Sequence, residues 1–291
     1  MHEELSRLPA WLPLIYLLIH SALVLVSPRR AVFKLRIVLI NTGVSAFFIW
    51  LALSDSPLSS EGLFRGLLLW MPIVFFWAAY VWARHTLTAI HPEGFNLDRP
   101  IIDLENRLFR QPSLHWSRRG NPLLTELLHI AYASYYLYTP ALGIYLDVVH
   151  RDREFQAMSF AVLFGYLIAY SFFALTPVFG PRWSLVELGL LDASEQYQKG
   201  YGVTRFTNWL MFRGPAHKGG AMPSSHSSTA MVFMIWSWRA WPPEIAICCT
   251  LLGVGMWFGS IYGRYHFVID VLIGALIGLG SVFVADALIL S

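Results

Sequence analysis

The chain has 291 residues, of which 56% are hydrophobic and only 13% are charged, against about 25% charged residues in ordinary soluble domains. Its net charge is +3 and its basic residues are dispersed, so a nucleic-acid partner is not indicated. The composition excludes an ordinary soluble domain. It predicts an all-α protein that crosses a membrane several times.

Apolar segments long enough to cross about 30 Å of hydrocarbon recur along the chain. The pattern allows six to eight spans, because the first segment is short and the sixth begins with several serines. We predict eight. They lie near residues 9–27, 33–54, 63–84, 123–147, 155–179, 226–242, 244–262 and 266–289.

Two longer polar stretches interrupt this pattern, over residues 85–122 and 180–225. Within the first stretch, apolar and charged residues alternate from Leu97 to Phe109 at helical spacing. This spacing predicts a short amphipathic helix that lies on the membrane surface. Its polar side would hold Asp103, Glu105, Arg107 and Arg110.

An eight-span topology divides the connecting segments between two faces of the membrane. One face would hold residues 28–32, 85–122, 180–225 and 263–265. The other would hold both termini and the remaining connections. Most lysines and arginines fall on the first face, which would make that face cytoplasmic. Cations recruited there to bind an anion would bias this count, so the division into faces is the firmer expectation. We expect a multi-pass protein of the cell membrane.

A histidine and an aspartate stand one helical turn apart at the start of the last span. Asp270 follows His266 at i+4, so its carboxylate could accept a hydrogen bond from one ring nitrogen. The other nitrogen would then be free to attack an electrophile. A structural pair that joins two helices is an equally good interpretation of these two residues alone.

A second histidine, His226, stands at the start of the sixth span, after Pro223. Ser224 or Ser225 would cap that helix, whose first amides and positive dipole end favour a bound phosphate. An ordinary capped helix is the alternative. Arg182, at the end of the fifth span, could grip phosphate oxygens with two parallel bonds, or could simply reach the interface. The topology brings all three stretches to one face, which favours a shared site.

These stretches resemble the three motifs of the type 2 phosphatidic acid phosphatase superfamily, whose usual pattern is Lys-x6-Arg-Pro, Pro-Ser-Gly-His and Ser-Arg-x5-His-x3-Asp. The positions that match are Arg182 in the first motif, Pro223, Ser224 and His226 in the second, and His266 and Asp270 in the third. The resemblance is specific over about residues 175–275 and weaker over 95–175. It implies a six-helix core with added N-terminal spans. We divide the chain into N-terminal spans (1–90), an amphipathic interfacial segment (91–122) and a catalytic core (123–291).

The chain departs from the usual motifs at two cationic positions. Leu175 stands at the lysine position and Ser260 at the third-motif arginine position. We expect Arg264 to replace that arginine, and Lys218 or His217 to replace the lysine. These departures, with Ser225 in place of glycine, resemble the branch that holds the inositol phosphorylceramide synthases, the inositolphosphotransferases and their bacterial relatives.

The resemblance also implies a mechanism. His266 would attack phosphorus and form a phosphohistidine, with Asp270 orienting its ring, and His226 would act as acid and then as base. No metal or other cofactor is needed for such a transfer. The expected phosphate ligands are Arg182, Ser224, Ser225, Arg264 and Lys218.

A polar and aromatic stripe in the fourth span is a second candidate site. Glu126, His129, either Tyr132 or Ala133, and Tyr136 recur there at helical spacing. Such stripes usually bond neighbouring helices, so we favour packing over a headgroup or acceptor site.

The function that we predict is an integral-membrane lipid phosphatase or phosphotransferase, with a phospholipid, polyprenyl phosphate or sphingolipid as its partner. Transfer of a phospho-headgroup, as in inositol phosphorylceramide synthesis, and simple hydrolysis are the competing reactions. A transporter or scaffold without chemistry is the non-enzymatic alternative. A vanadate-dependent haloperoxidase shares the architecture, but those proteins are soluble.

Overall fold

The computed structural model describes residues 7–54, 62–118, 120–213 and 218–291, and over these ranges the chain is a bundle of α-helices. A single-residue parallel bridge pairs Val178 with Gly220. The helices are α1 Leu8–Val26, α2 Ala31–Leu53, α3 Leu63–Ile90, α4 Asp98–Phe109, α5 Pro112–His115, α6 Pro122–Val148, α7 Asp152–Leu175, α8 Pro181–Glu187, α9 Gly202–Arg213, α10 Ser225–Ala240, α11 Pro243–Tyr262 and α12 Val268–Ala285, which continues as a π-helical turn Asp286–Leu290.

Each predicted span corresponds to a helix. In the described part of the chain, six helices are long and apolar enough to cross a membrane: α1, α2, α3, α7, α11 and α12 extended to Leu290. The chain is an all-α multi-pass membrane protein, as its composition predicted. The other two helices are α6, which carries the polar stripe, and α10, which has 16 residues and a serine-rich first turn. For these two helices, spanning stays a prediction.

Two glycines let α12 lie directly against the start of α10. A Cβ on Gly274 would fall 2.2 Å from the carbonyl oxygen of Ser224, and a Cβ on Gly278 would fall 2.3 Å from that of Ser228. Small residues at such positions let membrane helices approach backbone to backbone. This close approach places the segment before α12, which contains His266, beside the first turn of α10, which contains His226.

The connecting segments meet on two faces, as the topology predicted. On the first face, the amide of Leu97 donates to the carbonyl of Pro177 at 2.8 Å, and Nε of Arg29 donates to the carbonyl of Thr88 at 3.0 Å. On the second face, Nε of Arg65 contacts Asp152 at 3.0 Å. These contacts join segments that hydropathy had placed together. Which face is cytoplasmic stays a prediction.

The predicted amphipathic helix is present as α4, but its orientation corrects the prediction. Leu104 and Leu108 are exposed, whereas Glu105, predicted on the polar outer side, is completely buried. Burial is tolerated because its carboxylate accepts hydrogen bonds from the amides of Val268 at 2.9 Å and Ile269 at 3.3 Å, at the start of α12. One side of α4 therefore packs on the segment that carries His266.

Candidate active site

Backbone contacts join the three motif stretches into one site. The amide of Ala221 donates to the carbonyl of Val178 at 3.0 Å, which ties the second-motif loop to the segment before α8. Nη2 of Arg182 donates to the carbonyl of Gly263 at 2.9 Å, which ties the first motif to the third. The structure therefore brings Arg182, His226 and His266 together, as the shared face predicted.

The partner that fixes the His266 ring differs from the predicted one. Nδ1 of His266 lies 2.8 Å from the carbonyl oxygen of Ala221 and 3.7 Å from Oδ2 of Asp270. Only the shorter distance is a hydrogen bond, so the ring donates its proton to Ala221 rather than to the aspartate. Oδ2 of Asp270 accepts instead from the amide of Phe267 at 2.8 Å. The predicted outcome is unchanged, because Nδ1 carries the proton and Nε2 keeps its lone pair.

Asp270 still acts on His266 through its charge. Its carboxylate is fully buried, and it lies within 4 Å of the imidazole, where a negative charge stabilises positive charge on the ring. A phosphorylated imidazole carries such positive charge. The distance is suited to electrostatic support of an intermediate, while the Ala221 carbonyl sets the tautomer.

The second histidine faces the first across the start of α10. Nδ1 of His226 lies 3.4 Å from Nε2 of His266. Ser224 is the N-cap of α10, and its hydroxyl oxygen accepts from the amide of Ser227 at 3.2 Å, so the predicted cap is confirmed. Ser225 is the first helical residue and is buried. The helix start places its positive dipole end beside the two imidazoles.

Two stacked aromatic rings lie between Arg182 and His226. Its guanidinium lies 4.2 Å from the ring centroid of Tyr265. Tyr265 stacks on Tyr132 at 4.1 Å between ring centroids, and the Tyr132 hydroxyl lies 3.5 Å from Nε2 of His226. Motif spacing did not single out either tyrosine as part of this site. The polar stripe that includes Tyr132 was the available signal.

The two cations that were expected to replace the missing motif residues have other partners. Nε of Arg264 donates to the carbonyl of Ser113 at 3.2 Å, and Nη1 donates to that of Glu195. Burial lowers the pKa of Arg264 to about 10, which leaves it charged at neutral pH. Arg264 thus links the loop before His266 to the backbone at Ser113 and Glu195.

Lys218 is exposed and pairs with Glu187, outside the contacts that join the two histidines. Its ammonium also lies 5.0 Å from the ring centroid of Trp183. His217, the other candidate for the lysine position, lies outside the described residues. Phosphate binding by Arg264 or Lys218 stays a prediction that these contacts do not support.

The second candidate site divides into residues with different surroundings. Glu126 accepts hydrogen bonds from the amides of Tyr201 at 2.7 Å and Val203 at 2.6 Å, and so caps α9. Tyr136 packs on an aromatic ring of α3. Nδ1 of His129 donates to the carbonyl of Thr125 at 2.8 Å, and its ring centroid lies 5.9 Å from that of Tyr265. Glu126 and Tyr136 therefore fit the packing interpretation, whereas Tyr132 contacts His226 and His129 lies beside Tyr265.

Two buried carboxylates of α4 support the site, and motif reasoning missed both. Asp98 accepts from the amides of Phe179 at 2.7 Å and Gly180 at 2.9 Å, just before Arg182. Glu105 caps the start of α12 just after His266. Burial raises the pKa of both carboxyls, to about 6 for Asp98. Their spacing at i and i+7, with buried Ile102 at i+4, puts them on one side of a helix, which was the signal available in the sequence.

The bundle, the two facing histidines and the arginine tied to the loop before His266 define a membrane protein built around a two-histidine site. The family model of the PAP2 superfamily matches residues 99–284, which is more than half of the 291 residues. The chain belongs to the PAP2 superfamily. Membership supports an activity of the lipid phosphatase type. No curated protein and no solved structure matches the chain.

Proposed function

We propose that the chain is an enzyme of the cell membrane that cleaves a lipid phosphate ester through a phosphohistidine on His266. The observation that carries this proposal is the facing pair, with Nε2 of His266 3.4 Å from Nδ1 of His226. One imidazole offers a lone pair because its other nitrogen donates to Ala221. The other imidazole can deliver or take a proton at the same place.

The reaction has two steps that restore the starting enzyme. In the first, Nε2 of His266 bonds to phosphorus as the bond from phosphorus to the lipid oxygen breaks. His226, doubly protonated, gives its Nδ1 proton to the leaving oxygen. In the second, the oxygen of water or an alcohol bonds to phosphorus, its proton passes to Nδ1 of His226, and the phosphorus–nitrogen bond breaks.

Charge on the phosphoryl oxygens needs donors that are already in place. The first amides of α10 and its dipole end supply one set, and the buried guanidinium of Arg182, held on the third-motif loop by the Gly263 carbonyl, is the cation that we propose for the other. Both are anchored by the contacts described above. They would bind the transition state with little rearrangement.

Transfer to an alcohol is a second candidate, favoured by the burial of the nucleophile. His266 is 3% exposed and Asp270 is fully buried. A phosphohistidine formed there would be shielded from water, and a lipid or sugar hydroxyl bound against it could compete as the acceptor. The resemblance to inositol phosphorylceramide synthases points to the same reaction.

Product analysis separates the two reactions. The purified protein would be given a phospholipid labelled in its phosphate, in mixed micelles, with and without alcohol acceptors that include inositol and ceramide-type lipids. Free labelled phosphate or headgroup phosphate indicates hydrolysis, and label on the acceptor indicates transfer. Free phosphate with every acceptor would reject the transferase. No turnover of any phosphate ester would favour the transporter or scaffold.

A substitution tests the proposed nucleophile in the same assay. His266→Ala should abolish turnover while the protein remains folded and monodisperse. His115→Ala, at an exposed histidine of α5, is the matched control and should keep full activity. Unchanged turnover in His266→Ala would reject the proposed mechanism.

A further inference from the structure

Tyr132 contacts the acid–base histidine His226 but takes no part in the two proton transfers described above. Its side chain is 1% exposed, and its hydroxyl lies 3.5 Å from Nε2 of His226, the nitrogen that faces away from His266. Its ring is held in place by stacking on Tyr265 at 4.1 Å between centroids. The hydroxyl is therefore fixed at the back of the acid–base histidine.

The Ala221 carbonyl fixes where the protons lie on both imidazoles. The Ala221 carbonyl can only accept, so Nδ1 of His266 carries a proton and Nε2 does not. Nδ1 of His226 therefore donates toward Nε2 of His266 in the neutral state. This leaves Nε2 of His226 as an acceptor, for which the Tyr132 hydroxyl is the donor.

During the catalytic cycle, the hydrogen bond between the Tyr132 hydroxyl and Nε2 of His226 changes direction. When His226 is doubly protonated, its Nε2–H becomes a donor, and a hydroxyl can turn to accept it. After Nδ1 gives up its proton, the Nε2–H bond to the hydroxyl keeps the remaining proton on the far nitrogen. Nδ1 then presents its lone pair to the incoming water or alcohol.

We propose that Tyr132 is a positioning residue that holds Nε2 of His226 through both steps, so that Nδ1 alone exchanges protons with the substrate. This proposal rests on the proposed function of His226. Hydrogen bonds of catalytic groups commonly shorten when substrate binds, so a separation of 3.5 Å is compatible with the role.

The chain contains a matched control on the same helix. Tyr135 also packs against His226, with ring centroids 4.5 Å apart, but its hydroxyl pairs with that of Tyr166. Tyr132→Phe and Tyr135→Phe each remove one buried hydroxyl and keep the ring. Only the first removes a hydroxyl that reaches the imidazole.

The pH profile depends on the titratable and charged groups around the His226 imidazole. His266 faces the imidazole of His226, with Asp270 behind it, and Tyr132 and Tyr135 approach from α6. Arg182 lies behind the Tyr265 ring. The alkaline limb of kcat/KM should report loss of the proton from His226.

The experiment compares both variants with the unaltered protein in mixed micelles across pH. Tyr132→Phe should lower kcat about tenfold or more with KM nearly unchanged, because the hydroxyl acts through His226 and does not touch the substrate. Losing a hydrogen bond to a charged imidazole should move the alkaline limb down by about one pH unit. Tyr135→Phe should change neither.

Thermal unfolding would be measured for both variants, to show that a loss of kcat is not a loss of fold. The proposal would be overturned if Tyr132→Phe kept the kcat of the unaltered protein and the same alkaline limb of kcat/KM. It would also be overturned if the two variants showed equal effects. His266→Ala is assayed alongside. If it is inactive while Tyr132→Phe is normal, the Tyr132 proposal fails and the proposed function stands. If it is fully active, the proposed function fails.

Discussion

The contact between α10 and α12 gives the sharpest structural prediction, because it sets the separation of the two histidines. Gly274→Ala would place a methyl group 2.2 Å from the carbonyl oxygen of Ser224. The helices would have to separate by roughly 1 Å before that contact reached an ordinary van der Waals distance. Ser224 belongs to the cap of α10, so the displacement falls two residues from His226.

Two costs follow from that displacement. Overpacking a tight contact costs about 1–3 kcal/mol of stability. A shift of about 1 Å in a catalytic group costs about a hundredfold in rate. We therefore expect Gly274→Ala to lower kcat by about ten- to a hundredfold and to lower the thermal unfolding midpoint.

Gly280→Ala, in the same helix, is the control, because no atom outside the helix's own backbone and its chain neighbours lies within 4 Å of the added methyl. Both substitutions gain the same helix propensity, about 0.8–1 kcal/mol, so their difference isolates the helix contact. Both variants would be assayed for lipid phosphate release and thermal unfolding in detergent. Full activity in Gly274→Ala, or an equal loss in Gly280→Ala, would refute the inferred helix contact.

Two further predictions concern the carboxylates of α4. Glu105→Ala should lower kcat at least about tenfold, because the first amides of α12 lose their acceptors next to His266, while Asp103→Ala at an exposed position should not; equal activities would contradict this. Asp98, with its pKa raised by burial to about 6, binds its proton more tightly in the folded protein than in the unfolded chain. Its contribution to stability is therefore complete below about pH 4 and is lost as the pH rises through about 6, by about 2–3 kcal/mol. The unfolding midpoint of the unaltered protein minus that of Asp98→Asn should fall over this range, and a constant difference would contradict the assignment.

Local patterns in the sequence were enough to predict the long helices and the facing histidines. Apolar length locates the helices, and Pro223, Ser224 and His226 are read within one helical turn. The partner of His266 could not be found this way, because it is the backbone carbonyl of Ala221, 45 residues away. An i+4 carboxylate was the nearest acceptor that the sequence offered.

The burial of Glu105 and the placement of Arg264 were not predictable for a related reason. Charged residues in an amphipathic helix usually face water, and only the packing of α4 on α12 shows that backbone amides replace water for Glu105. Arg264 was assigned by its distance along the chain from a motif position. Its side chain instead reaches carbonyls of Ser113 and Glu195, which no spacing rule connects to it.

Direct detection of the covalent intermediate tests the central claim. The protein would be mixed with a lipid labelled in its phosphate, stopped within one turnover and analysed for label on the chain. We predict label on His266 that is stable in alkali and lost in acid, as a phosphorus–nitrogen bond requires, and no label in His266→Ala. Turnover of the lipid with no labelled protein at any time, or label that persists in His266→Ala, would contradict the mechanism.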